Sequence, residues 1–192
     1  MPWYRRIFRP GGTYFFTLVT ENRAPIFSNS RARSLLHDAF HECRSRRPFE
    51  LEAIVLLPDH LHAIIELPES DHDYPTRVAA IKAHFTRSFL SWGGQEQARS
   101  SSRVAGRRRG VWQRKFWEHT IEDQEDFNRH VDYIHYNPVK HGLAKCPHAW
   151  PYSSFKKWVA ASAYEPDWQC ICEAETVKAP DFSSVSCSEF DF

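Results

Sequence analysis

His60 and His62 stand two residues apart in Leu57-Pro58-Asp59-His60-Leu61-His62-Ala63-Ile64-Ile65-Glu66-Leu67, an apolar run that reads as a β-strand. Side chains alternate across a strand, so both imidazoles share one face and Leu61 points to the other. Two imidazoles converging from one side of a strand make half of a metal site, which oxygen ligands must complete. Tyr133 and Asn137 lie four residues apart in His130-Val131-Asp132-Tyr133-Ile134-His135-Tyr136-Asn137-Pro138, a predicted helix. That spacing puts them on one helix face, with Cβ atoms about 6 Å apart. The Asn137 carboxamide oxygen suits a third ligand to a His–His metal, and a tyrosine one turn earlier hangs beside it. Each feature also has an ordinary reading: an incidental His-x-His, a core tyrosine, and an asparagine that stops a helix before proline.

The elements that must position these residues follow from local patterns. Gly11-Gly12 breaks the chain before Thr13-Tyr14-Phe15-Phe16-Thr17-Leu18-Val19-Thr20, rich in β-formers and read as the first strand. Residues 28–46 carry Leu35, Leu36, Ala39 and Phe40 at amphipathic helix spacing, closed by a cluster of arginines and Pro48. Residues 49–57 form a second strand, Pro58-Asp59 a turn, and 60–67 its hairpin partner. Residues 76–92 are a second helix with Val78, Ile81, Phe85 and Phe89 on one face, and 111–120 a further strand with Trp112, Phe116 and Trp117. Residues 122–136 are a third helix, stopped by Asn137-Pro138, and a short helix runs through Val159. The order β-α-β-β-α-β is the split βαβ arrangement, so the expected fold is α+β and ferredoxin-like, an antiparallel sheet with helices packed on it. Residues 1–164 form the expected domain, 93–110 a mobile basic insertion within it, and 165–192 an acidic, loosely ordered tail.

Composition narrows the partners. Hydrophobic residues at 42% and aromatics at 15% suffice for one core, and no run is long enough to cross a bilayer. No apolar signal segment follows the basic N-terminus, so a cytoplasmic protein is expected, with its five cysteines as reduced thiols. The net charge of +1 conceals a dipole: 19 basic and 11 acidic residues through Lys115, against 6 basic and 13 acidic from Phe116 onward. An arginine-rich half of this kind suits phosphate contacts and stacking on bases.

Leu57-Pro58-Asp59-His60-Leu61-His62 resembles the histidine–hydrophobic–histidine (HUH) motif of single-strand transposases, and the segment from His130 to Gly142 resembles their tyrosine helix. Arg47-Pro48-Phe49-Glu50, Gly12-Thr13-Tyr14-Phe15-Phe16-Thr17 and Trp112-Gln113-Arg114-Lys115-Phe116-Trp117-Glu118-His119 look like the REP-associated tyrosine transposases, which act on repetitive extragenic palindromes. The resemblance covers about Trp3 to Trp168. It implies Mg²⁺ or Mn²⁺ on His60, His62 and Asn137, with Tyr133 attacking a phosphodiester to give a 5′-phosphotyrosine and a free 3′-hydroxyl. The substrate it implies is single-stranded or hairpin DNA, with no membrane partner, a nucleoid-associated location, and a monomer, although dimers occur among relatives. Two readings stand beside it: a DNA-binding protein of this fold with little catalysis, and a metal hydrolase using His60 and His62 with water.

Arg5, Arg6, Arg77, Lys82, Arg87, Arg114 and the Arg107–Arg109 cluster are candidates for hairpin phosphates. Trp3, Tyr4, Trp112 and Trp117 are candidates for base stacking, at roughly 1–3 kcal/mol per base. His119 is a candidate phosphate contact, and Asp132 a candidate acceptor from an imidazole. Cys170 and Cys172, even with Cys187, give a C-x-C that lacks a fourth metal ligand at normal spacing.

Overall fold

The computed structural model describes residues 8–106 and 108–172. Four strands, β1 (Thr13–Val19), β2 (Glu50–Leu56), β3 (His60–Glu66) and β4 (Trp117–Thr120), form one sheet in the order β2-β3-β1-β4. All neighbouring pairs are antiparallel. With α1 (Ser30–Arg46) between β1 and β2, and α2 (Tyr74–Ser91) between β3 and β4, this is the expected split βαβ architecture. A bulge between Leu51 and Ala53 shifts the β2–β3 register by one residue.

Residue alternation divides the sheet into two unlike faces. Tyr14, Phe16, Leu18, Leu61, Ala63 and Ile65 point toward α1 and α2 and join Leu36, Phe40, Ile81 and Phe85 in the larger core. Each large apolar side chain sealed there contributes roughly 1.5–3 kcal/mol. The other face carries Phe15, Val55, His60, His62 and Ile64 and is covered by α4 (Gln124–Lys140), whose Val131, Tyr133 and Ile134 pack on it. Ile134, Val131 and Phe127 occupy this core side.

The structure departs from several of these expectations. Helix α4 does not stop at Asn137; it runs on through Pro138 to Lys140. A proline's fixed φ fits a helix, and in the last turn it forfeits only the bond back to residue 134. The Pro138 carbonyl then accepts from the Leu143 and Ala144 N–H groups, which closes the helix end. The final sheet strand is only four residues long, because Trp112 meets Thr20 in an isolated bridge and the chain between loops out. The 93–110 insertion, expected as a mobile loop, forms a strap that holds α3 (Ser101–Ala105), with Arg103 paired to Glu21 at 2.5 Å and Arg109 to Glu96 at 2.9 Å. Glu96 lies within the insertion, and Glu21 comes from outside it.

The tail is also partly ordered. Trp168 packs on Tyr164, with ring centroids 4.6 Å apart, and on Phe155 of α5 (Phe155–Ala160). The rest of the expected acidic tail, 173–192 with Cys187, lies outside the described residues. Cys146 and Cys170 are joined by a disulfide, where free thiols are the sequence expectation, because the fold brings together two cysteines 24 residues apart. No helix among the described residues is long and apolar enough to cross a membrane.

Candidate active site

The turn between β2 and β3 aims the histidines. Its Pro58 and Asp59 carbonyls accept from the backbone N–H groups of Phe27 and Thr20, at 2.9 Å each, so the hairpin end is fixed to the end of β1. His60 and His62 then emerge on the α4 face, with ring centroids 5.0 Å apart and 3% and 1% exposure.

Each ring has one nitrogen held and the other left over. His60 Nδ1 meets the Asp59 carboxylate at 2.6 Å, and His62 Nδ1 meets Thr17 Oγ1 at 2.8 Å. A carboxylate only accepts, so Nδ1–H of His60 donates to it and Nε2 is the nitrogen left over. Both Nε2 atoms are buried without a hydrogen-bond partner, and so are Oδ1 and Nδ2 of the fully buried Asn137. Buried polar atoms are almost always satisfied, and each orphan costs about 1–3 kcal/mol. Orphaned donors of this kind suit a ligand, and two imidazoles with a carboxamide are a donor set for a divalent cation. The Nδ1 hydrogen bonds are the outer support that fixes ring orientation in such sites.

Helix α4 supplies the other half. Tyr133 is 1% exposed and its ring meets that of His62 edge-on at 5.1 Å, while His141 at the helix end meets His60 at 5.3 Å. Asn137 lies one turn from each, so contacts above and below it turn its face toward the histidine pair. Lys140 Nζ sits 4.9 Å from the centroid of the Tyr133 ring.

The local electrostatics favour the neutral form of the His62 imidazole. Burial pushes the His62 pKa well below the usual histidine value, and His60, His141, Lys140 and Arg23 push the same way. Burial would raise Asp59, but hydrogen bonds from His60 and Arg23 outweigh it and hold the carboxyl below its ordinary range. Arg23 pairs with Asp59 at 3.1 Å.

A second cluster anchors the start of α4. His119 Nε2 meets Asp126 Oδ2 at 2.7 Å, His130 stacks on His119 with centroids 4.6 Å apart, and His130 packs on Phe15 at 4.9 Å. His119, offered as a phosphate contact, is thus engaged in joining β4 to α4. Trp117 beside it is half-buried, edge-on to Phe15 at 5.5 Å. Asp132 accepts from Tyr164 Oη at 2.5 Å, not from an imidazole.

The cationic candidates separate into two kinds. Arg77 is corrected to a structural residue: it is 2% exposed and its guanidinium donates to Asp71, the Asp73 carbonyl and the Pro48 carbonyl. Lys82, Arg87 and Arg114 instead line one cavity of about 550 Å³ between α2 and the strap, with Arg103, Arg108 and Arg109 on its rim and Val78, Trp112 and Phe116 in its wall. Burial, with Arg103 nearby, lowers the Lys82 pKa to about 8, and its ammonium donates to the Gln113 carbonyl at 2.7 Å. Arg5, Arg6, Trp3, Tyr4 and Arg107 lie outside the described residues. Residue patterns alone did not single out Thr17, Asp59 or Lys140. Asp59 was signalled by adjacency to His60, whereas Thr17 depends on strand register, standing opposite His62.

The family model for IS200-like transposases matches residues 11–137, spanning every strand and both His60 and Asn137. The chain belongs to the IS200-like transposases. A REP-associated tyrosine transposase of Escherichia coli K12 is 39% identical over 168 residues, covering 88% of this chain and 91% of the relative. A Haemophilus influenzae protein provisionally named for the same group is 44% identical over 172 residues, covering 86% of this chain and 92% of the relative. A solved structure of a REP-associated tyrosine transposase bound to a REP hairpin superposes with a TM-score of 0.73 at 37% identity, covering 95% of this chain and 93% of that one. These matches place the chain in the REP-associated branch of the IS200-like transposases, and so among DNA-processing enzymes of transposase type.

Proposed function

We propose that this transposase is a metal-dependent single-stranded DNA transesterase that nicks and rejoins DNA beside palindromic hairpins through a 5′-phosphotyrosine. The observation that carries it is the coincidence of three buried, unpartnered donor groups, on His60, His62 and Asn137, with a tyrosine ring 5.1 Å from His62. Those three side chains would hold Mg²⁺ or Mn²⁺, and a cation there supplies positive charge to the scissile phosphate. Thr17 and Asp59 keep the two rings turned so that Nε2 faces inward.

Tyr133 Oη attacks phosphorus. The bond to the 3′-oxygen breaks, leaving a free 3′-hydroxyl and DNA joined to Tyr133 through its 5′-phosphate. The phenol proton leaves in this step, and Lys140 above the ring adds positive charge beside the forming phosphodiester. Because the covalent link preserves the phosphodiester, a 3′-hydroxyl attacking it rejoins DNA without ATP. All four side chains come from one chain, so a monomer suffices to build the site. The related structure's REP hairpin supports hairpin DNA as the partner, acting at the nucleoid, with the Lys82–Arg87–Arg114 cavity taking backbone phosphates.

The test is a labelled hairpin oligonucleotide incubated with Mn²⁺ and resolved on a denaturing gel. The expected result is a protein–DNA adduct in the wild type and none in Tyr133→Phe. Cleavage persisting in Tyr133→Phe would mean a water nucleophile, and binding without any cleavage would mean a DNA-binding protein.

A further inference from the structure

We propose a second metal site, a structural one for Zn²⁺, formed by Cys146, His148, Cys170 and Cys172 behind the tyrosine helix. In sequence the four are two unremarkable pairs, Cys146-Pro147-His148 and Cys170-Ile171-Cys172, and neither holds a metal alone. The fold unites them. After α4 the chain enters a short 3-10 turn at Pro147–Ala149, and the tail returns beside it, with the Ile171 N–H donating to the Lys145 carbonyl at 2.9 Å. That pairing brings both Cys170 and Cys172 to Cys146.

Ligand atoms of Cys146, His148 and Cys170 all lie within 4.8 Å of one another, and Cys172 Sγ is 2.7 Å from Cys146 Sγ. Tetrahedral Zn²⁺ with Zn–S bonds near 2.3 Å spaces its sulfurs about 3.8 Å apart, so side-chain adjustments of about 1 Å complete a Cys₃His site. The Cys146–Cys170 disulfide employs two of these groups and gives no role to the third sulfur or to the imidazole. Zinc employs all four. The two states exclude each other: a thiol reductant supplies two electrons and two protons to open the disulfide, and Zn²⁺ then displaces the thiol protons. The one-residue spacing within each pair is tighter than the usual two to four, which makes each pair a compact chelate.

The site sits where apolar packing is thin. Cys146 is buried, Cys170 half-buried, and His148 and Cys172 exposed. It would pin residues 165–172 to the loop that ends the helix bearing Tyr133 and Asn137, a task that metal binding performs through folding free energy.

The test uses the full chain carrying His60→Ala and His62→Ala, which removes the metal site proposed for catalysis. The protein, without a histidine tag, is reduced with a phosphine, supplied with Zn²⁺, dialysed and assayed for metal by mass spectrometry. About one zinc per chain is expected, and replacing it with Co²⁺ should give thiolate-to-cobalt charge-transfer absorption with intense tetrahedral bands. Adding Cys170→Ser and Cys172→Ser should cut retained zinc by about tenfold or more. His148→Ala, on an exposed side chain, should shift the cobalt bands without unfolding the chain. A reduced chain that retains no zinc and shows no thiolate band overturns the proposal. So does zinc retention unchanged by the cysteine changes, or cobalt bands unmoved by His148→Ala.

Discussion

The two faces of β3 alternate residue by residue and yet meet unlike surroundings. Leu61, Ala63 and Ile65 face a sealed apolar core, whereas His60 and His62 face a cover of similar burial that leaves both Nε2 atoms unpartnered. On the proposed function, one face serves stability and the other gives up stability to hold reactive groups in place. The orphaned nitrogens mark the functional face, because equally buried neighbours across the strand have nothing left to bind.

Opposite substitutions on the two faces break or sharpen this contrast. Leu61→Ala should cost about 2–5 kcal/mol of stability, seen as a lower denaturant midpoint, since it empties a packed core. Asn137→Leu should do the reverse: hairpin cleavage falls by about a hundredfold or more, while the unfolding midpoint holds or rises, because an isosteric apolar group replaces an unsatisfied amide. A large loss of stability in Asn137→Leu would mean the amide is an ordinary structural group.

A smaller effect concerns ring orientation. Asp59→Ala and Thr17→Val each free an Nδ1, and each should weaken Mn²⁺ binding by about 10–100-fold in a calorimetric titration. Unchanged affinity in both would detach the hydrogen bonds from the proposed metal role.

The smallest expected effect lies at the arginine-rimmed cavity on the α2 side. Lys82, with a pKa of about 8, is charged at pH 7 and loses its charge as pH rises through that value. Hairpin affinity measured by anisotropy should therefore drop roughly fivefold, about 1 kcal/mol, between pH 7 and pH 9. Lys82→Arg should flatten that drop, since arginine stays charged. Stability moves the other way. The folded pKa lies below the unfolded value, so the unfolded chain takes up its proton first as pH falls from about 10.5 to 8, and this residue's contribution declines over that window.

Much of the frame was legible before any coordinates. Alternation placed His60 and His62 opposite Leu61, and a four-residue spacing placed Tyr133 with Asn137; both are short-range geometry. What escaped depended on distant partners. Arg77 looked like one more surface cation, and only the fold reveals Asp71 and the Pro48 carbonyl around its guanidinium. The partner of Arg103 in the 93–110 run, Glu21, lies some eighty residues earlier. Cys170 and Cys172 lacked partners until the loop after α4 brought up Cys146 and His148. Pro138 looked like a helix stop, although the end of a helix tolerates it.

The central claim is that Tyr133, held against the histidine face, forms the covalent bond to DNA. Trapping the Mn²⁺-dependent hairpin adduct, digesting it and mapping the nucleotide-bearing peptide by tandem mass spectrometry tests it most directly. The account predicts the nucleotide phosphate on Tyr133. A modification on another residue, such as Tyr136, or cleaved DNA with no modified peptide, would contradict it.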